Sequence, residues 1–471
     1  MMTPTITAAM TAFLAGVLAH GGWAAQVGDV PDQKPDGASP AAAVVSAVSA
    51  DRCRETVDTL CSFGTRHTLS ATDDPKRGIG AARKWLKAEF DKIAAKAGGR
   101  MTVSLESFDV PKSPALPRLP NGATIVNVVA VLEGTSEAAK HRRYYVVGHY
   151  DTINADRMDS HGDAPGANDN ASGTAVVLEC ARVLASVELE ATIVFLCTAA
   201  EEQGLVGAKL HAEAAAKRGE VIGGVLNNDI VGDPSVRFFN LESGWVDASR
   251  SIRMFSEGLP RNAGAAELAE IRKLGKECDS DSRQLARFVW DVGMIESLPI
   301  GVMPIFRFDR FLRGGDHTAF NDAGFAAVRF SVPAEDYSRQ HQNVTEKDGK
   351  PYGDVASFVD AEYVANVAKL NAATLFHLAN APAAPKRVRM VTAKLESGTT
   401  LRWTANGEPD VAGYEVVWRP TTSSNWDGVV DAGLTTEWLS EASKDNYFFG
   451  VRAYDASGLR GPVTFAGAEA E

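Results

Sequence analysis

Several histidine and carboxylate side chains in this chain of 471 residues stand directly after short apolar runs. Three such runs end in groups of these residues: His149 with Asp151, Glu201 with Glu202, and Asp229. Imidazole nitrogen and carboxylate oxygen are both common ligands of zinc in proteins. A further carboxylate, Asp169, lies just before a helical pattern, where backbone N–H groups and the helix dipole favour an anion. These residue types therefore predict a metal site.

The apolar runs that precede these residues predict a sheet. We expect strands over residues 125–132, 144–147, 192–197, 225–226 and 326–330, and helices over residues 78–97, 174–184 and 359–378. Continuous apolar strands that alternate with helices are typical of an α/β fold, in which a mostly parallel central sheet is flanked by helices. Ligands of such sheets bind beyond the carboxyl ends of the strands, where the candidate residues fall.

The number of carboxylates suggests more than one metal ion. Two zinc ions held close together repel each other, so anionic ligands must cancel most of their charge. We expect Asp169 to bridge two zinc ions. His149 and Asp229 would complete one site, and Glu202 with a distant histidine the other. Zinc lowers the pKa of its coordinated water to about 7, which supplies a nucleophile at neutral pH.

Adjacent residues that leave a strand point in different directions, so Glu201 and Glu202 need not share a task. We expect Glu202 to bind metal and Glu201 to act as the general base that moves a proton from water to a leaving amine. Asp151, two residues after His149, is expected to accept the other N–H of that imidazole and to fix its tautomer. Glutamate pairs are usually surface features, but this pair follows an apolar strand.

The order and spacing of these motifs resemble the zinc exopeptidase family of the bacterial secreted leucyl aminopeptidases. The resemblance covers residues 45–380 and rests on four motifs: His-x-Asp at 149–151, Asn-Asp-Asn-x-Ser-Gly around Asp169, Glu-Glu-x-Gly-x-x-Gly from Glu201, and Asp229. It implies an α/β fold with a mixed central sheet and two co-catalytic zinc ions. It also implies a peptide or protein substrate that loses its N-terminal residue.

The resemblance also points to the distant histidine. The family's last zinc ligand stands in a Tyr-His-x-x-x-Asp pattern, and the nearest match is Tyr337-Ser-Arg-Gln-His341, so His341 is the predicted ligand. Gln340 rather than an aromatic residue precedes it, which leaves the oxyanion-stabilising tyrosine unidentified, with Tyr337 as a substitute. Asp316 and His317 resemble the family's Ser-Asp-His-x-x-Phe loop near the substrate.

Composition changes at both ends of the predicted catalytic domain, residues 45–380. Residues 1–25 contain an apolar run that ends among small residues, as in a signal peptide, so we expect a secreted or periplasmic protein. Residues 26–44 are expected to be a linker. Residues 386–471 alternate with period two, which favours a β-sandwich. The spacing of their aromatic residues resembles a fibronectin type III domain, and an unrelated all-β module is the alternative.

The net charge and the hydropathy of the chain limit the classes of partner that we expect. A formal net charge of −12 argues against nucleic acid, which binds through clustered lysine and arginine. No run after the N-terminal one reaches the ~20 apolar residues that a membrane helix needs. We expect the β-sandwich to contact a polymer, a surface or the catalytic domain.

Five cysteines are too few for a disulfide framework, and a bridge between Cys53 and Cys61 stays open.

Three other functions remain open. A carboxypeptidase-type hydrolase and a single-zinc glutaminyl cyclase both agree with the resemblance, and peptides with free and blocked amines would distinguish them. The third alternative is a binding protein on a catalytically retired scaffold. Such proteins lose a ligand or the base, whereas all the expected positions are filled in this chain.

Overall fold

A computed structural model describes residues 39–393 and 396–469. The predicted signal peptide and residues 26–38 of the predicted linker lie outside these ranges. The helices are α1 (Ala42–Ser46), α2 (Ala50–Ser62), α3 (Ile79–Ala94), α4 (Ser172–Leu184), α5 (Val206–Lys217), α6 (Ala265–Lys273), α7 (Asp281–Ile295), α8 (His317–Asp322) and α9 (Ala361–Asn380). None of these helices is long and apolar enough to cross a membrane.

The strands of the first 355 residues are β1 (Met101–Val110), β2 (Ala123–Leu132), β3 (Arg142–His149), β4 (Thr192–Thr198), β5 (Val221–Asn228), β6 (Phe238–Asn240), β7 (Gly244–Val246), β8 (Ser251–Ser256), β9 (Gly301–Ile305), β10 (Ala327–Ser331), β11 (Thr345–Lys347) and β12 (Lys350–Tyr352). The later strands are β13 (Lys386–Met390), β14 (Thr399–Thr404), β15 (Val411–Pro420), β16 (Gly428–Gly433), β17 (Glu437–Ser440), β18 (Tyr447–Asp455), β19 (Thr464–Phe465) and β20 (Gly467–Ala468).

The central sheet has the strand order β1-β2-β4-β3-β5-β10-β8-β9. Its middle is parallel, since β3 pairs in parallel with β4 and β5, and β5 with β10. The pairs β1 with β2, β2 with β4 and β10 with β8 are antiparallel. The predicted α/β class with a mixed, mostly parallel sheet is therefore confirmed. The five predicted strands correspond to β2, β3, β4, β5 and β10.

Helices cover both faces of this sheet. Along β3, Tyr144 and Val146 pack into one hydrophobic core together with α4 and α9. The alternate residues Tyr145 and Val147 pack into a second core with α5 and α8. This alternation follows from the period of two in a strand. It explains why β3 reads as a continuous apolar run, because both of its faces are buried.

Two glycines let helix α4 begin directly beside the ends of β3 and β5. A Cβ atom on Gly148 would lie 2.8 Å from the carbonyl carbon of Gly173, and a Cβ on Gly173 would lie 2.1 Å from the main-chain oxygen of Asn228. Only residues without a side chain fit at such a distance. The loop that precedes α4, which carries Asp169 and a cis peptide bond to Asn170, is thereby placed at the carboxyl ends of the strands.

The strands after residue 385 form two four-stranded sheets, β17-β14-β13-β20 and β16-β15-β18-β19. Residues from both sheets share one hydrophobic core that includes Trp403, Tyr414 and Phe449. This arrangement agrees with the predicted β-sandwich, while its assignment as a fibronectin type III domain stays a prediction.

Cys53 and Cys61 lie eight residues apart on α2, and both are free thiols.

Buried ion pairs connect the sandwich to the helices and strands that precede it. Asp279, in the turn before α7, lies 2.7 Å from Arg287 on α7 and 2.6 Å from Arg419 on β15. Arg142 on β3 lies 2.8 Å from Glu408 in the sandwich. All of these side chains are at least nine-tenths buried. The sandwich is therefore packed against the central sheet's helices and not merely linked to them.

Candidate metal centre

Two clusters of acidic and histidine side chains meet at the carboxyl ends of β3, β4 and β5. We call them the His149 cluster, made of His149, Glu201 and Asp229, and the His341 cluster, made of Asp169, Glu202 and His341. Within each cluster, one potential ligand atom from every residue lies within 4.8 Å of the others. The predicted metal ligands and the predicted general base are thus brought together from a span of almost two hundred residues.

Asp169 lies between the two clusters. Its Oδ1 atom is 3.2 Å from Nε2 of His149, and its Oδ2 atom is 2.9 Å from Nε2 of His341. The same His341 nitrogen is 2.9 Å from Oε1 of Glu202, and Nε2 of His149 is 3.8 Å from Oδ1 of Asp229. One carboxylate therefore faces a histidine of each cluster, which is the arrangement that a bridging ligand requires.

The electrostatics of the clusters fit a bound cation. Burial raises the pKa of the Glu201 carboxyl well above its usual value. Burial acts in the same direction on Asp169, but the nearby His149 and His341 hold its pKa well below the usual range. Nε2 of His149 is buried and has no hydrogen-bond partner among the described residues. Crowded carboxylates beside an unpartnered imidazole nitrogen form a donor set that suits zinc.

Asp151 differs in one respect from its predicted role. Nδ1 of His149 lies 3.1 Å from the main-chain oxygen of Asp151, whereas the carboxylate is 3.6 Å away. The main chain of Asp151 thus fixes the tautomer of His149, because a carbonyl oxygen at this distance accepts an N–H. The carboxylate instead accepts the backbone N–H groups of Glu201 and Glu202, each at 3.2 Å. Asp151 therefore joins the ends of β3 and β4.

Two buried residues that the sequence did not single out hold the loop of Asp169. Asp354 accepts the backbone N–H groups of Asn168 and Asp169 at 2.8 and 2.7 Å. Arg66 is completely buried and donates to the main-chain oxygens of Tyr150 and Gly166 at 2.7 and 2.9 Å. Neither residue belongs to a motif with recognisable spacing, so sequence reasoning had no signal for them.

Asp316 and His317 are buried beside the clusters. Asp316 accepts a hydrogen bond from the Thr198 hydroxyl at the end of β4, and burial raises the pKa of Asp316 to about 7. Nε2 of His317 lies 2.7 Å from the main-chain oxygen of Phe308, and burial lowers the pKa of His317 to about 4. His317 is thus a neutral residue that fixes a neighbouring loop.

Tyr337 is placed differently from the other candidates. Its side chain is 58% exposed, and its ring lies 5.8 Å from the guanidinium of Arg313. Among the described contacts, none brings Tyr337 to either cluster. Gln340, which stands where the family has an aromatic residue, donates from Nε2 to Oδ2 of Asp169 at 3.1 Å. The departure from the family pattern therefore adds a hydrogen bond to the Asp169 carboxylate.

Arg329 on β10 is a further residue that sequence reasoning missed. Its guanidinium is fully buried and lies 3.1 Å from Oδ2 of Asp229 and 2.8 Å from Oδ2 of Asp309. Burial would raise the pKa of Asp229, but Arg329 and then His149 outweigh it and hold this pKa below its usual value. An arginine inside the apolar run of a predicted buried strand was the available signal, since such a charge needs a partner.

Comparison with known proteins places the chain in a family. Residues 127–353 match peptidase family M28. The crystal structure of the LapA aminopeptidase of Legionella pneumophila is similar over 72% of this chain and 71% of that chain, with 21% identity and a TM-score of 0.48. A probable zinc metalloprotease of Pyrenophora teres f. teres is 40% identical over 90% of this chain and 86% of the relative. Another, from Leptosphaeria maculans, is 41% identical over 90% of this chain and 96% of the relative. The chain therefore belongs to the zinc metalloproteases of peptidase family M28, in agreement with the resemblance of its motifs.

Proposed function

We propose that the chain is an aminopeptidase that works with two zinc ions. The observation that carries the proposal is the position of Asp169, whose two carboxylate oxygens face histidines of different clusters. A single metal site has no need of such a carboxylate. The arrangement therefore favours two ions over the one expected of a glutaminyl cyclase.

The proposed ligands divide between two sites. His149 and Asp229 would hold one ion, Glu202 and His341 the other, and Asp169 would contact both. Glu201 lies within ligand distance of His149 and Asp229, but it is more exposed than either of them. We therefore assign Glu201 to the proton chemistry, because a base must reach water and substrate.

The mechanism follows from these positions. Zinc lowers the pKa of a coordinated water to about 7. The Glu201 carboxylate takes a proton from the attacking water and returns it to the amine nitrogen of the leaving group, and its raised pKa suits both steps. Asp151 holds the main chain of Glu201 and Glu202, so each carboxylate keeps its own direction.

The charge of the site favours a substrate with a free amine. Oδ1 of Asp316 is buried and has no hydrogen-bond partner among the described residues, and it lies close enough to raise the pKa of Glu201 by charge repulsion. Surplus carboxylate charge attracts an ammonium group and repels a carboxylate. This favours recognition of a peptide's N-terminus over its C-terminus, and hence an aminopeptidase over a carboxypeptidase.

The test combines metal content with substrate preference. We expect the purified full-length chain to contain two zinc ions and to release the first residue of peptides with a free amine. Peptides with an acetylated amine should stay intact. Release of the C-terminal residue from acetylated peptides would instead identify a carboxypeptidase. Absence of both zinc and hydrolysis would identify a retired scaffold.

We also infer that the protein is exported. The support is the apolar run over residues 6–19 and the small residues that follow it. Mature protein should be found outside the cytoplasmic membrane, and its N-terminal sequence should begin close to residue 26. A mature protein that keeps residues 1–25 would contradict this inference.

A further inference from the structure

We propose that Arg329 is a positioning residue that directs Asp229 towards the His149 cluster and thereby sets the zinc affinity of that cluster alone. The inference rests on the proposed two-zinc function. It concerns a residue outside every predicted ligand motif, on the strand β10.

The contacts of Arg329 divide the two oxygens of Asp229 between different tasks. Nη2 of Arg329 lies 3.1 Å from Oδ2 of Asp229, while Oδ1 of Asp229 faces Nε2 of His149 at 3.8 Å. The guanidinium therefore forms an ion pair with Oδ2, the outer oxygen, and Oδ1, the inner oxygen, is left to face the His149 cluster. Because the arginine is fully buried, water does not compete for this contact.

Arg329 is itself fixed from its other side. Nη1 contacts both carboxylate oxygens of Asp309, at 2.9 and 2.8 Å, and the main-chain oxygen of Gly314 at 3.2 Å. The next residue, Gly315, packs so closely that a Cβ atom there would lie 3.0 Å from Oδ2 of Asp229. The loop over residues 309–315 and Arg329 therefore enclose the outer oxygen of Asp229 together.

The His341 cluster has no such support. Among the described residues, the carboxylates of Asp169 and Glu202 form their ion pairs with histidines, and no arginine pairs with either one. Residues that orient a ligand carboxylate typically change metal affinity by about 10–100-fold. Loss of Arg329 should therefore weaken one zinc site and spare the other.

The experiment uses the full-length chain stripped of metal and titrated with zinc by calorimetry. Two backgrounds isolate the clusters: His341→Ala leaves the His149 cluster, and His149→Ala leaves the His341 cluster. The double change Arg329→Gln with Asp309→Asn removes the anchor and does not leave Asp309 as a buried charge without its arginine, while Asp229 keeps His149 beside it. We expect zinc affinity to fall by about 10–100-fold in the first background and to stay unchanged in the second.

Two further variants separate positioning from general structural damage. Arg329→Lys is made in the chain that keeps Asp309. Lysine retains the charge but cannot contact Asp229 and Asp309 with a planar fork. Its zinc affinity at the His149 cluster should therefore lie between those of the wild-type arginine and the double variant. Arg253→Gln is the matched control. Arg253 is a largely buried arginine on β8, the neighbouring strand, and its partner Glu335 keeps a second ion pair with Arg310. This control should leave both zinc affinities unchanged.

The outcomes distinguish this inference from the proposed function. Unchanged zinc affinity in the double variant, or an equal loss in both backgrounds, would overturn the role of Arg329 while the wild-type chain still binds zinc. A wild-type chain that binds no zinc would overturn the proposed function and this inference together.

Discussion

The side chains of the metal centre are directed largely by hydrogen bonds to the main chain. Asp151 accepts the N–H groups of Glu201 and Glu202, and Asp354 accepts that of Asp169. Charge-assisted bonds of this kind are roughly twice as strong as bonds between neutral groups. The two adjacent glutamates can therefore hold different directions, which is the condition for one to bind metal and the other to move a proton.

Replacing Glu201 by glutamine tests this division of tasks. The amide cannot accept the proton, so we expect kcat to fall by about 10²–10⁴-fold, the usual contribution of a general base. Zinc content, measured by atomic absorption, should stay at the wild-type value because the proposed ligands are intact. Glu213→Gln, an exposed position on α5, is the control and should be fully active. Full hydrolysis by Glu201→Gln would refute the assignment.

Sequence reasoning identified the residues of both clusters, and Asp151 beside them, but missed the other residues that hold them. Glu201, Glu202 and Asp229 were recognisable because each directly follows a buried apolar run, where a charge is unusual. Asp309 and Asp354 lie in loops that contain other charged residues, so neither one stands out in the sequence. Their partners come from distant parts of the chain, and a sequence pattern does not encode contacts of that kind.

At the scale of elements, the contact between the start of α4 and the end of β3 decides where Asp169 lies. Both ends carry glycine at the contact, Gly148 on β3 and Gly173 on α4. The apolar runs made β3 predictable because both faces of this strand are buried. The edge strand β1 was missed, since its apolar residues alternate with polar ones and form no continuous run, and only Met101 is buried.

Gly173→Ala tests this close packing. The added Cβ would lie 2.1 Å from the main-chain oxygen of Asn228, the last residue of the neighbouring strand β5, so α4 and β5 must move apart. We expect a loss of about 1–3 kcal/mol in the free energy of unfolding, as for overpacked cores, together with weaker zinc binding. Urea denaturation and zinc titration measure the two effects. Gly264→Ala, where nothing lies within 4 Å of the added atom, should change neither.

For the whole molecule, the buried contacts of the sandwich argue that it stabilises the enzyme. Asp279 balances Arg287 from α7 and Arg419 from β15, and Trp426 of the sandwich donates to Gln284 on α7 at 3.3 Å. Charges this deeply buried depend on their partners, because water cannot replace them. Contact of the sandwich with a polymer or a surface remains a prediction that would add to this structural role.

Asp279→Ala tests the structural role of the sandwich. Two buried arginines would lose their acidic partner, so the free energy of unfolding should fall by about 3–5 kcal/mol. Glu437→Ala breaks an ion pair with Arg402 inside the sandwich, where both side chains are nearly half exposed, and should cost less than about 1 kcal/mol. Denaturant unfolding compares the two variants. Equal losses in the free energy of unfolding would mean that the buried ion pairs of Asp279 contribute no more to stability than the exposed pair.

The hydrogen bonds from Asn168 and Asp169 to Asp354 join residues 186 and 185 positions apart. A ribosome releases the chain from its N-terminus, so the acceptor emerges long after the loop that needs it. His341 also emerges late. A nascent chain that ends before residue 341 therefore lacks both of these late groups and cannot assemble the two clusters as they stand in the complete fold.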